Sequence, residues 1–109
     1  MSTIKSSREI DVVFRTAAKV AHPLLIALIV QTPQGRGLDG RVVFAAGKKL
    51  GGAVARNRSR RVLREAARRA GAPWPGYDVA LVARPETGAA APSALDRAFE
   101  SVLARAGLR

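Results

Sequence analysis

The residues best suited to binding chemistry lie in one basic segment, GGAVARNRSRRVLREAARR, at positions 51–69. This segment holds seven arginines and a single acidic residue, Glu65. The planar guanidinium group of arginine donates two hydrogen bonds to one phosphate, whereas lysine acts as a point charge. Lys48 and Lys49 stand just before the segment. These residue types predict a surface that binds the phosphates of a polyanion.

The spacing of these residues is that of an amphipathic helix over residues 52–70. At about 100° per residue, one side collects small and aliphatic residues together with a serine: Ala55, Ser59, Val62, Leu63, Ala66 and Ala70. The opposite side is expected to carry an i, i+4 row of arginines, flanked by Asn57 and Arg61: Arg56, Arg60, Arg64 and Arg68.

A row of like charges needs an explanation, because each such pair costs on the order of 0.2–0.5 kcal/mol. A face that only meets water normally mixes charge signs. We therefore interpret the row as a face for folded RNA or DNA that reads backbone and shape, with a solvated helix face as the alternative. Asn57 is expected either to donate to phosphate or ribose or to assist the first helical turn.

The other polar residues form no recognisable catalytic or metal site. His22, the single histidine, precedes Pro23, where a surface or capping role is expected. Asp39, Asp78 and Asp96 are far apart in the sequence and are expected in turns or caps. The chain has no cysteine to act as nucleophile or thiolate ligand. We predict no catalytic side chain and no metal ligand in the protein itself.

Composition indicates a single basic globular domain over residues 1–109. Hydrophobic residues make up 48% of the chain and its net charge is +11, which favours a nucleic acid, or less often an anionic membrane surface, as partner. The most apolar run, LLIALIV at 24–30, is shorter than the roughly 20 residues of a membrane span. With no signal peptide apparent, we expect a cytoplasmic protein without a membrane partner.

Periodicity and turn residues divide the chain into six elements. Helices are predicted at 7–19, 52–70 and 93–106, the last with Ser93 as N-cap. Strands are predicted at 24–31, 41–46 and 77–84, the first two antiparallel if they form a hairpin, the third central because it is almost wholly apolar. Trp74, between two prolines, is expected to cover the core edge or to stack on a base. The order α-β-β-α-β-α predicts an α+β fold, with helices packed on one small mixed sheet.

The basic segment also resembles the signature of a known family. The run GKKLGGAVARNRSRRVLREAAR contains, in order, two lysines, a glycine, an Ala-Val pair, Arg-Asn-Arg, a basic pair and Arg-Glu-Ala. This ordered pattern is similar to that of the bacterial ribonuclease P protein component. The element order and a strand that ends in Arg84 extend the resemblance over nearly the whole chain.

The resemblance implies a fold and a function. The fold is of the ribosomal protein S5 domain 2-like type, described as α-β-β-β-α-β-α where the sheet is split further, with a left-handed β-α-β crossover that holds the arginine helix. The function is that of the protein subunit of ribonuclease P, an endoribonuclease that removes the 5′ leader of precursor tRNA. The catalytic RNA and its Mg²⁺ ions would carry out hydrolysis, and no obligate protein partner is expected.

The resemblance also implies two sets of binding residues. Those expected to face the catalytic RNA, together with Arg68 of the same row, are Lys48, Lys49, Arg56, Asn57, Arg58, Arg60, Arg61 and Arg64. The single-stranded leader would lie in a cleft between sheet and helices, on aromatic residues of the first helix and strand. Phe14 fits one such position, although a core role explains it equally, and Ile10 and Leu28 stand where aromatics are common.

Two other classes of protein share part of this pattern. A small basic RNA-binding protein of ribosomal or assembly-factor type has the same charge, size and architecture, but no reason to carry the ordered signature. A peripheral membrane binder needs exposed Trp, Phe or Leu opposite the basic face, where this helix is rich in alanine. We therefore expect ribonuclease P RNA and precursor tRNA as partners.

Overall fold

The computed structural model describes residues 17–32 and 40–108. In this part of the chain it contains four strands: β1 (Ala18–His22), β2 (Leu25–Gln31), β3 (Arg41–Ala45) and β4 (Tyr77–Ala83). Two α-helices follow β3 and β4 respectively: α1 (Ala53–Arg69) and α2 (Pro92–Arg105). Short 3-10 helices, Lys48–Leu50 and Thr87–Ala89, lead into them.

The strands form one mixed sheet in the order β1-β2-β4-β3. β4 pairs antiparallel with β2 and parallel with β3, so the first two predicted strands, β2 and β3 of the structure, are not neighbours and the hairpin considered for them does not form. The physical reason is the burial of β4: five of its seven residues are buried, and an apolar strand is stabilised most when a strand pairs with each of its two edges. Its predicted central position is confirmed.

The parallel pair β3 and β4 is joined through α1, which makes the β-α-β unit that the family resemblance implied. The α+β class, with helices packed on one small mixed sheet, is confirmed. The hand of the crossover stays a prediction.

Alternation along the strands separates two apolar faces of the sheet. The face under the helices holds the main core, in which Leu25, Val42 and Leu81 meet Leu63 of α1 and Phe99 of α2. The other face carries a smaller cluster around Leu28 and Ala80, whose half-buried neighbours include four residues of β2, β3 and β4: Ile26, Val30, Val43 and Val82. One sheet therefore has a helix-covered face and a second face with an apolar floor.

The predicted first helix differs from the structure at its end. Residues 7–16 lie outside the described residues, but Ala18 and Lys19 belong to β1, not to a helix. This fourth strand was missed in the residue pattern because its sequence, AKVAH, is short and mostly exposed. The family description with a further strand is the one that the structure matches.

Two polar details of the fold also depart from expectation. The N-cap of α2 is Ala91, with Pro92 as first helical residue and no side-chain cap, so Ser93 as N-cap is wrong. Proline suits this position because its missing N–H would have no helical partner. Asp78 is not in a turn: it is buried in β4, where it accepts a hydrogen bond from the Arg41 amide (3.2 Å).

Candidate nucleic-acid interface

The arginine helix has the predicted bounds to within one residue at each end, Ala53–Arg69. Its buried residues are Ser59, Leu63, Ala66 and Ala67, which face the sheet and α2. The residues most fully directed to solvent include Asn57, Arg61, Arg64 and Arg68. A basic outer surface on α1 therefore exists, and it spans about 16 Å from Asn57 to Arg68 at 1.5 Å per residue.

The i, i+4 row does not run straight along the outer surface. Each step of four residues advances about 40° around the helix, so the row winds from the core edge outward. Arg56 and Arg60 are half-buried, whereas Arg64 and Arg68 are exposed. The predicted position opposite the core is confirmed for Arg64 and Arg68 and wrong for Arg56 and Arg60.

Intramolecular contacts orient several of these side chains. The Arg64 guanidinium lies over the Phe44 ring of β3, 5.5 Å from its centroid, a distance suited to a cation–π contact. Asn57 accepts a hydrogen bond from Arg60 through Oδ1. Asn57 is exposed near the start of α1, and both roles expected for it stay predictions.

Carboxylates do not cover the outer surface of α1 in the described part of the chain. The ion pairs there join Arg41 to Asp78 (3.6 Å) and Arg69 to Asp96 (2.9 Å). Neither involves Arg61, Arg64 or Arg68. All three side chains are exposed.

Lys48 and Lys49 are exposed on the 3-10 helix just before α1. They line an open groove of about 740 Å³ whose floor includes Ile26 and Val82, and whose rim includes Arg84. Leu28 lies on the same face of the sheet as that floor. We call this feature, lined by Lys48, Lys49, Arg84, Ile26 and Val82, the basic groove.

The basic groove combines an apolar floor with cations at its edge. That combination suits single-stranded nucleic acid, because bases pack on apolar surface while the backbone follows positive charge. Leu28 lies on the same face of the sheet but is buried and does not line the groove, whereas Phe14 and Ile10 lie outside the described residues. Arg84 was missed as a groove residue. Its position in the sequence could have indicated this role, because Arg84 follows the carboxyl end of the buried strand β4, where binding sites often form in sheet proteins.

His22 and Trp74 have structural roles in the fold. His22 Nδ1 accepts a hydrogen bond from the Leu24 amide (3.1 Å), which confirms the predicted capping role. Burial, and then the nearby Arg105 guanidinium, lower the pKa of His22. Trp74 is 7% exposed and part of the main core, so its predicted role as a cover of the core edge is confirmed.

Sequence comparison finds one family, and relatives that match nearly the whole chain. A family model described as Ribonuclease P matches residues 1–107. The ribonuclease P protein component of Symbiobacterium thermophilum is 36% identical over 96% of this chain and 90% of its own length. That of Brevibacillus brevis is 30% identical over 94% of this chain and 81% of its own length.

Solved structures show the same fold. The ribonuclease P protein of Staphylococcus aureus superposes with a TM-score of 0.81 at 21% identity, covering 99% of this chain and 97% of that one. The Thermotoga maritima protein gives 0.78 at 19% identity, with 96% and 97% covered. In residues 17–32 and 40–108, neither helix has the length and apolar character of a membrane span.

Proposed function

This chain belongs to the ribonuclease P protein family and is a protein subunit of that enzyme, and on that basis we propose a separate binding role for each of its two basic surfaces. The outer surface of α1 binds the catalytic RNA. The basic groove binds the 5′ leader of precursor tRNA. The protein supplies positioning and charge, and the RNA supplies the reacting groups.

The observation that carries this proposal is the set of exposed arginines on the outer surface of α1, which outnumber the one carboxylate of that helix, Glu65. Arg61, Arg64 and Arg68 are exposed and form none of the ion pairs in the described residues. Phosphates of a folded RNA would neutralise them and release condensed counterions, which favours binding. Arg56 and Arg60, half-buried at the core edge, would contact RNA with the outer part of their side chains only.

The basic groove supports a leader-binding role through its chemistry. Lys48, Lys49 and Arg84 would follow the phosphates of a single strand, and Ile26 and Val82 would contact base faces. Aliphatic side chains pack against bases less specifically than aromatic rings do. We therefore expect leader binding with little base preference at these positions.

We propose that hydrolysis depends on Mg²⁺ bound by the RNA subunit. The described residues of this chain offer no group of three or more His, Cys, Asp or Glu side chains that could hold a metal ion. No step of the reaction is assigned to a protein side chain. The protein's own contribution is to bind the catalytic RNA and to hold the leader in place.

Reconstitution tests this function. The purified protein is mixed with a bacterial ribonuclease P RNA and a precursor tRNA at low Mg²⁺, with folding verified by circular dichroism. We expect the protein to stimulate release of the 5′ leader, and the stimulation to exceed that given by an unrelated basic protein of equal charge. Binding of the RNA without stimulation would instead indicate the small structural RNA-binding class.

A further inference from the structure

Arg58 belongs to the basic signature, yet its guanidinium is directed toward another part of the protein. Its Nε donates a hydrogen bond to the carbonyl oxygen of Gly88 (2.9 Å). Gly88 is the middle residue of the 3-10 helix between β4 and α2. Arg58 therefore ties α1 to the β4–α2 loop, residues 84–91.

The loop lies directly against α1 at this point. A Cβ atom added to Gly88 would be 3.1 Å from Oγ of the buried Ser59, so a larger residue would press on the helix. Ser59 is small enough to allow this approach, and Arg58 then closes the contact with its hydrogen bond. The two neighbouring residues of α1 thus hold the backbone of one loop glycine.

Thr87, next to Gly88, connects the loop to the sheet. Its side chain is fully buried, and its Oγ1 donates to the Leu24 carbonyl oxygen (2.6 Å) while it accepts from the Arg84 amide (2.8 Å). A hydroxyl has one proton to donate, so this donor is fully used. The loop is thereby connected both to the start of β2 and to Arg84.

We propose that Arg58 is a positioning residue for the basic groove. It holds the β4–α2 loop on α1, so that Thr87 fixes the backbone of Arg84 at the groove rim. This inference rests on the proposed leader-binding role of the groove. The remaining nitrogens of Arg58 are exposed with the rest of the side chain, so an experiment must separate its charge from its Nε bond.

The variant Arg58→Lys makes that separation, because lysine keeps the charge but lacks the Nε donor. Arg69→Lys is the matched control: Arg69 also lies on α1 and donates from Nε over 2.9 Å, but to Asp96 of α2. Two quantities are measured for the wild type and for each variant, the first on the reconstituted holoenzyme and the second on the free protein. One is the leader preference, meaning the affinity for precursor tRNA divided by that for mature tRNA. The other is the amide hydrogen exchange rate in residues 84–90.

For Arg58→Lys we expect the leader preference to fall by about three- to tenfold, the range for loss of one hydrogen bond. Amide exchange at Arg84 and in the 3-10 helix should rise by a similar factor. The salt dependence of catalytic-RNA binding should not change, because the charge is retained. Arg69→Lys should leave both the leader preference and the exchange in residues 84–90 unchanged.

Unchanged exchange in residues 84–90 of Arg58→Lys, or an equal effect of Arg69→Lys, would overturn the proposal. Thr87→Val gives an independent check, since it removes both hydroxyl bonds without altering any charge and should reproduce the loss of leader preference. A wild-type holoenzyme with no leader preference would refute the groove's proposed function. In that case the exchange data would still decide whether Arg58 holds the loop.

Discussion

The double variant Arg61→Ala/Arg68→Ala tests the RNA-binding surface most directly. Both side chains are exposed on the outer surface of α1 and form none of the hydrogen bonds or ion pairs of the described residues. Seven residues apart, they lie within about 20° of each other around the helix. They are therefore expected to meet the same RNA surface.

The magnitude follows from counterion release. Each phosphate contact contributes roughly 0.7–0.9 to the slope of log affinity against log salt. Loss of two contacts should lower the slope by about 1.4–1.8. Between 50 and 200 mM salt, the wild-type protein should then lose about seven- to twelvefold more affinity than the variant does.

Folding stability should not account for this difference. Arg64 and Arg68 are a like-charged i, i+4 pair on an exposed face, and removal of one member relieves a repulsion of about 0.2–0.5 kcal/mol. Arg61 loses a favourable i, i+4 partner, Glu65, of similar strength. The free energy of unfolding should therefore change little, which urea denaturation would verify.

The assay is a titration of catalytic RNA by filter binding or fluorescence anisotropy at several salt concentrations. The control, Arg69→Ala/Arg97→Ala, removes the same net charge from positions outside the proposed RNA-binding surface. Its slope should stay within a few tenths of the wild-type value. Equal slopes for all three proteins, or an equal reduction in both variants, would refute a localised phosphate-binding surface on α1.

Two further predictions concern stability and can be measured by urea denaturation. Burial and, secondarily, Arg105 lower the pKa of His22, so the folded protein should lose stability as pH falls below about 6.5, the ordinary pKa of histidine. His22→Gln should remove this part of the pH dependence. If the unfolding free energies of the variant and the wild type change in parallel from pH 7.5 to 5.5, the prediction is wrong. Gly40→Ala should destabilise the fold by about 1–3 kcal/mol, because the Cβ of the new alanine would lie 2.1 Å from the Trp74 carbonyl oxygen. An unfolding free energy equal to that of the wild type would show that the backbones at Gly40 and Trp74 can separate without cost.

Much of the binding surface could be read from local pattern. The arginine helix was predicted to within one residue at each end, because its buried side repeats at helical spacing and Gly71 and Pro73 follow it. The central place of β4 followed from its apolar run. Charge and the ordered signature indicated the partner class, since both properties reside in residue types and their order.

Long-range packing determined the features that local pattern did not reveal. Local pattern indicated a central β4 but did not show that β4 separates β2 from β3, because the residue pattern of those two strands also suited a hairpin. The basic groove forms only where the ends of two strands bring Lys48, Lys49 and Arg84 together. No spacing along the chain encodes that juxtaposition.

The same distinction holds within α1 itself. Helical periodicity correctly separates Arg68 from Leu63, but it does not show that Arg64 lies over the Phe44 ring or that Arg58 donates to the Gly88 carbonyl oxygen. Periodicity is a property of one helix, whereas these contacts depend on which strand and which loop pack beside it. Residue types and spacing thus predict a basic helix suited to RNA, and the tertiary neighbours determine which group of the protein each of these arginines contacts.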